Sequence, residues 1–412
     1  MALPTNVLET VTTYQRSNLA YLLNHYAFLN VANKKFVNFN KLEANLGASV
    51  SFDLPPRYAT NDSLVVTFQG SEQRKQTLTV DKAKNVAVDF SAEQFIFNVE
   101  RYMDQFGMSA MKQLGTTVES DIAQNAITNT FRFYGNGTTA INSFGQLADA
   151  VAMLEEFGAA TGRHKGFVSN LAVPQIVNSG LAQFVPNRNN EIANSWELGS
   201  WADADWYRSN LLATHTAGTV GNAATTLVVT AVTTDADGGI SAITCSGAGT
   251  DANAIKAYDL LQFSDGVSGQ PNVRYRTFIG HQPSGAPVQI QATADAASAA
   301  DSVTIPIFPK LYSAAGSKQN ITTAIVAGME LTALPSHRAG VLYSGNAFFL
   351  AMPQLPEEIP FPTANKTDED TGCSIRMYYG SLFGQNERGL VHDTIWGSTL
   401  VPEYAMRIVF PL

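Results

Sequence analysis

Between residues 91 and 130 the apolar positions Ile96, Val99, Met103, Phe106, Ala110, Leu114, Val118 and Ile122 recur every three or four residues. That spacing is the signature of a helix with one buried face. Ser91 followed by Gln94 reads as a capping-box start, so the pattern predicts one continuous helix, far longer than the usual ~11–12 residues. Gly107 and Gly115 interrupt it, each at a cost of about 1 kcal/mol relative to alanine, which implies a bend or a close neighbouring backbone. Upstream, residues 5–32 carry patches of helical spacing (Val7, Val11, Leu19, Leu22, Leu23) in polar sequence and read as an arm with helical pieces. Between arm and helix, residues 63–68 and 76–80 read as two strands joined by the polar stretch 69–75, and Pro55-Pro56 breaks any helix there.

Downstream, Leu147, Val151 and Leu154 put an apolar stripe on a second helix, 144–157, and the chain then alternates short strands and helices. From 214 to 310 the texture changes to Ala, Thr, Gly, Ser and Asp, with β-branched runs at 226–230, 240–244 and 303–307. Turn signals at Asp237-Gly238-Gly239, Gly247-Ala248-Gly249, Asp265-Gly266 and Ser284-Gly285 punctuate those runs, which predicts a compact β-barrel or sandwich of ordinary domain size. Mixed α/β character returns after it: a helix over 317–334, then strands at 339–343, 347–352, 374–379 and 406–410. The β segment therefore interrupts one host domain.

Only 15% of the 412 residues are charged while 45% are hydrophobic, against a usual charged share near ~25%. Much of the surface must be neutral or covered by other chains. The net charge of −9 argues against a dedicated nucleic-acid binder, whose phosphate affinity comes from clustered Lys and Arg. Yet Arg57, Arg74, Lys75, Lys82 and Lys84 concentrate positive charge on the strand excursion. An isolated hairpin is marginal in water, so these five are candidate subunit-interface residues. Cys245 and Cys373 are too few for a disulfide framework and read as small buried hydrophobes. No run reaches the ~18 apolar residues of a membrane span, and the expectation is a soluble protein made in a cytoplasm.

Enzyme signatures are missing: there is no phosphate loop, zinc helix or nucleophile elbow. Gly247-Ala248-Gly249 fits a loose dinucleotide fingerprint without a βαβ unit and reads as a turn. Asp235-Ala236-Asp237-Gly238 resembles the start of a calcium loop but lacks the closing Glu, so a hairpin turn is expected. The six histidines are scattered, none with a second ligand at helical metal spacing. Arg163-His164-Lys165 reads as a solvated helix exit, and residues 366–370 as a charged loop. Catalytic residues, cofactors and metals are all expected to be none.

The order of parts resembles the major capsid proteins of tailed phages with the Hong Kong 97-type fold, an α+β architecture. More narrowly it is similar to the short-tailed-phage branch, with a β-barrel inserted in the apical domain. Two stretches carry the closer likeness: residues 338–357, beginning Arg338-Ala339-Gly340-Val341-Leu342-Tyr343, and residues 375–380, Ile375-Arg376-Met377-Tyr378-Tyr379-Gly380. The resemblance implies an N-terminal arm (1–49), an extended loop (50–90), a spine helix with α/β body (91–213), an inserted all-β domain (214–310) and a return to the body (311–412). On the spine, Ile96, Val99, Met103, Phe106, Ala110 and Leu114 would form the packing face. It further implies a non-enzymatic, virion-located shell protein that assembles with itself as pentamers and hexamers. A scaffolding protein, a portal at one vertex and weak, non-specific contacts with packaged double-stranded DNA come with that implication. Two other readings are carried forward: an encapsulin-like compartment, which normally lacks so large an insert, and a carbohydrate-active enzyme with a β binding module, disfavoured by the lack of a convergent acid pair.

Overall fold

The computed structural model describes residues 28, 31–32, 49–56, 58, 68, 74–91, 108–158, 162–181, 198–278, 280–345, 347–356, 363–367, 374–381 and 387–412. The chain divides into two compact units: Met1–Phe52, Gln76–Ala123 and Phe348–Thr399 form one, and Asp53–Lys75, Gln124–Ala347 and Leu400–Leu412 form the other.

In the first unit a five-stranded sheet is organised around the long strand Glu387–Leu400. Lys82–Ser91 pairs along it from Ser91 opposite Glu387 to Lys82 opposite Trp396, and Ser374–Ser381 pairs with it antiparallel. Helix Met108–Ala123 packs on Lys82–Ser91. It buries Met111, Leu114, Val118 and Ile122, one position per turn, as the sequence spacing requires. Gly397 sits where a Cβ would lie 2.0 Å from the Thr79 carbonyl, so only glycine allows that backbone approach.

Three expectations are compared with the structure here. Ser91, read as a helix cap, ends a strand paired in register with Glu387, and residues 92–107, where that cap would act, lie outside the described residues. The helix does not run to 130, since it closes at Ala123 and a separate single turn, Asn125–Thr128, follows. Finally, the strand at 76–80 is seen as Arg74–Thr79, and its partner is Ser49–Leu54, with Ser51 and Thr77 hydroxyls 3.2 Å apart. Residues 63–67 lie outside the described residues, as do most of the arm and Ile96, Val99, Met103 and Phe106.

The second unit holds a seven-stranded sheet with His337–Ser344 at its centre, paired to Ala405–Pro411, His164–Ser169 and Ala213–His215. Every residue of His337–Ser344 but Arg338 is buried, the near-continuous apolar reading of a strand covered on both faces. Helix Phe144–Glu156 buries Leu147, Ala150, Val151 and Leu154, and a full capping box between Ser143 and Gln146 fixes its start. A closed barrel follows, in the order Ile240–Ser246, Ser302–Leu311, Gln289–Ala292, Leu260–Phe263, Glu330–Ala333, Thr226–Thr234. Alternate residues point inward: Leu227 and Val229 on one strand, Val303, Ile305 and Ile307 on another, all in one core.

The barrel closes with Glu330–Ala333, beyond the boundary expected at 310, and no helix forms over 317–334. Ile321, Ile325 and Met329 have helical spacing, but an irregular segment delivers them into the barrel core. The segment's backbone pairs with distant chain instead of with itself. The Asn320 and Ile321 N–H groups donate to the Tyr312 carbonyl (3.1 and 3.3 Å), Thr322 N–H donates to the Arg274 carbonyl (3.0 Å), and the Asn320 carbonyl accepts from Arg276 N–H (2.8 Å). The side chains anchor the same neighbours. Asn320 accepts from Tyr312 N–H through Oδ1 (2.7 Å) and donates to the Lys310 carbonyl (2.8 Å), while Thr322 Oγ1 accepts from Arg274 N–H (3.1 Å).

Candidate functional site

Of the five basic residues expected at an interface, four are described, and two of them carry an ion pair within the chain. Arg74 donates to Glu403 in a tight ion pair and lies over the Phe278 ring, 5.3 Å from its centroid. Lys82 pairs with Asp121 at 2.7 Å, and Asp121 also accepts from the Trp396 indole at 2.9 Å. Lys75 and Lys84 are exposed, whereas Arg57 lies outside the described residues. Of the expected spine positions, Ala110 and Leu114 are described, and both are buried.

A group of residues that sequence reasoning did not single out joins the barrel to the sheet. The chain leaves the sheet through Ala213–His215 and returns through His337–Ser344, and these strands pair with His215 directly opposite His337. Beneath them the wholly buried Arg407 donates through Nε to the Ala126 carbonyl (3.0 Å) and Thr130 Oγ1 (3.1 Å). Its Nη2 donates to the Ile127 carbonyl (2.6 Å), and Nη1 to His337 Nε2 (3.2 Å). The carbonyls that end the helical turn are thereby satisfied by a cation, as the dipole favours. His337 must carry its proton on Nδ1, which donates to the Pro335 carbonyl at 2.7 Å. Burial, and then the Arg407 charge, push the His337 imidazole down to about 3. Burial also lowers Arg407, to about 9, against the pull of Asp259.

Asp259, also wholly buried, bonds His215 Nε2 at 2.7 Å and accepts from the backbone N–H groups of Gly218 (3.1 Å) and Lys256 (2.8 Å). Barrel, return strand and final strand thus meet in one hydrogen-bonded joint. A second buried cation, Arg132, sits over the Phe157 ring at 4.2 Å and donates to the Met153 carbonyl. Desolvation lowers it to about 10. Close by, a cavity of about 260 Å³ is lined by Phe131, Phe157, Tyr275 and Phe278, with Arg74 and Glu403.

The motifs set aside as turns behave as turns. Asp235 N–H donates to the Gly239 carbonyl (2.8 Å) and Gly238 takes φ 81°. In the glycine loop, the amides of Gly247 and Gly249 donate to the Asp301 carboxylate at 3.1 and 2.8 Å, so an internal anion fills that cradle. Burial pushes the Cys245 thiol up to about 12, the state of an inert core cysteine. Cys373 lies outside the described residues. Arg163-His164-Lys165 is no helix exit: Arg163 pairs with Asp205 at 2.9 Å and His164, 2% exposed, opens a strand. Around His164 the structure gathers the one metal-ligating set found among the described residues, Glu155, His164 and Asp203.

No protein-family model matches the chain, and no curated protein sequence matches it. Among solved structures it is similar to one from Mycobacterium phage Che8 at 10% identity and a TM-score of 0.47, covering 93% of this chain and 91% of that one. It is also similar to the mature capsid of bacteriophage PhiM1 (10%, TM-score 0.40, covering 89% and 82%). A virus-like particle from Pyrococcus furiosus is matched at 6% identity and a TM-score of 0.42, covering 97% and 98%. At these identities and scores they are likenesses, and the functional reading rests on the residues of this chain.

Proposed function

We propose that this chain is the major capsid subunit of a tailed bacteriophage, with a Hong Kong 97-type fold, assembling as pentamers and hexamers into an icosahedral shell around double-stranded DNA. One observation carries the reading: a closed barrel set into a host sheet between two mutually paired strands, downstream of a strand excursion and a one-sided helix. This order of parts supports the layout that the resemblance implies, a spine and a body carrying an insert, with the arm and the extended loop carried in the proposal from the sequence. The insert in this reading spans 214–336.

Lys75, Lys82 and Lys84, all exposed, are the described candidates for contacts between subunits, and Arg57 and Arg74 stay in the proposed set. The net charge of −9 suits a container wall, since a wall gripping many phosphates would impede DNA movement. A scaffolding protein, a portal vertex and virion location follow from the same reading, and no catalytic step is part of it. Among the described residues no helix is long and apolar enough to cross a membrane.

The deciding experiment expresses the chain with its scaffolding partner and images the product by electron microscopy. Closed shells of uniform size are expected. Persistent monomers under assembly conditions would overturn the proposal, and shells loaded with an enzyme and devoid of genome would favour a cargo compartment.

A further inference from the structure

We propose that Glu155, His164 and Asp203 form a binding site for a borderline divalent cation, with Zn²⁺ as the best fit. The three residues offer one ligand atom each, all within 4.8 Å of one another, and His164 Nε2 already lies 3.0 Å from Glu155 Oε1. Three different elements converge to achieve this: the last turn of helix Phe144–Glu156, the first residue of strand His164–Ser169, and the turn between strands Gly199–Trp201 and Ala204–Ser209. That turn is the two-residue type with both central residues at positive φ, 49° at Ala202 and 53° at Asp203, a conformation that aspartate tolerates better than most side chains. His164 N–H donates to the Asp203 carbonyl at 3.0 Å, so the backbone holds the turn beside the imidazole before any ion arrives.

Charge and burial both point to a cation as occupant. The nearby Asp205 is neutralised by Arg163, but among the described residues neither Glu155 nor Asp203 has a lysine or arginine partner. Glu155 also stands at a helix C-terminus, where the dipole disfavours a carboxylate. The His164 side chain is 2% exposed and its Nδ1 is buried without a partner, so the ring's one polar outlet is Nε2, directed at the carboxylates. An imidazole with two carboxylates suits Zn²⁺ or Mn²⁺ better than Ca²⁺ or Mg²⁺, which favour all-oxygen shells. Three protein ligands leave a fourth position for water. A bound ion would tie the helix end to the strand and the hairpin, a structural clamp that is independent of the capsid reading.

The test titrates the purified full-length chain with Zn²⁺ by calorimetry and with Co²⁺ by visible absorption. Glu155→Gln and Asp203→Asn are the variants, because both alter outward carboxylates without emptying the core, and asparagine keeps the positive-φ turn. One Zn²⁺ per chain is expected, with tetrahedral-type Co²⁺ bands, and affinity should fall at least about tenfold in each variant. No stoichiometric binding, or binding unchanged in both variants, would overturn the site and assign any uptake to the other histidines.

Discussion

Replacing Arg407 with methionine tests the joint at the base of the barrel. Methionine fills much of the same space but donates nothing, so the carbonyls of Ala126 and Ile127 and the Nε2 of His337 lose their donors in a site closed to water. Each buried acceptor left unpaired costs ~1–3 kcal/mol, and the buried Asp259 loses the Coulombic support of a cation. Part of that is recovered by burying an apolar side chain, and removing one partner of a buried ionic group typically costs ~3–5 kcal/mol in all. Against a total stability of ~5–15 kcal/mol this is a large fraction. In urea, with a slope of ~1–3 kcal/mol per molar, the midpoint should drop by more than ~1 M. Equilibrium unfolding at pH 7.5, followed by circular dichroism and by the fluorescence of Trp201 and Trp206, measures it. Arg407→Lys should fall between the two, because it restores the charge but not the forked geometry. A methionine variant within ~0.3 M of the parent midpoint would refute the assignment of Arg407 as the joint's organising group.

The low values of His337, about 3, and His392, about 4, arise mainly from burial and lie below the ordinary 6.5. The unfolded chain therefore binds protons that the folded chain refuses: stability is complete above about pH 6.5 and is lost as pH falls toward 3–4, at up to ~1.4 kcal/mol per pH unit per histidine. Denaturation midpoints between pH 7 and 4 should flatten in a His337→Asn, His392→Asn variant, and an unchanged slope would count against buried neutral imidazoles. On helix Met108–Ala123, Leu114→Ala should cost ~2–5 kcal/mol and the exposed Gln113→Ala less than ~0.5; equal losses in thermal unfolding would mean that the buried face is wrongly placed. The Lys75→Gln, Lys84→Gln pair should leave subunit melting within ~0.5 kcal/mol of the parent yet reduce shell yield, with normal yield and salt resistance as the contrary result.

What the sequence made legible was whatever a single segment decides by itself. Helix 144–156 follows from Leu147, Val151 and Leu154, and the barrel strands follow from runs of β-branched residues between glycine turns. The segment 317–334 defeats such reasoning, since Ile321, Ile325 and Met329 are spaced as in a helix while the backbone of 320–322 bonds to Tyr312, Arg274 and Arg276, none of them at the spacing of a helical partner. Interface candidates were only partly readable for a related reason. Arg74 and Lys82 look free in sequence, but Glu403 and Asp121 neutralise them from remote positions. The same remoteness hid the Glu155, His164 and Asp203 set, which no helical spacing could reveal because strand pairing creates it.

Since His215 stands opposite His337, the two ends of the inserted segment are separated by no more than the spacing of neighbouring strands, about 5 Å. A gene could therefore gain, lose or exchange everything between them while the host strands kept their register, and a short turn would close the gap. The exchange is not wholly free. Asp259, which supports the Arg407 charge, and Tyr258, whose carbonyl lies 3.5 Å from Arg407 Nη1, both belong to the insert, so a lineage or an engineer that discards the barrel must also replace Arg407 or supply it with another carboxylate. A foreign domain grafted at the same two positions must also take over the hydrogen bonds that Gln289 and Gln291 make with Phe133 and Ile127, and cover Phe131 and Phe157, which the barrel core now buries.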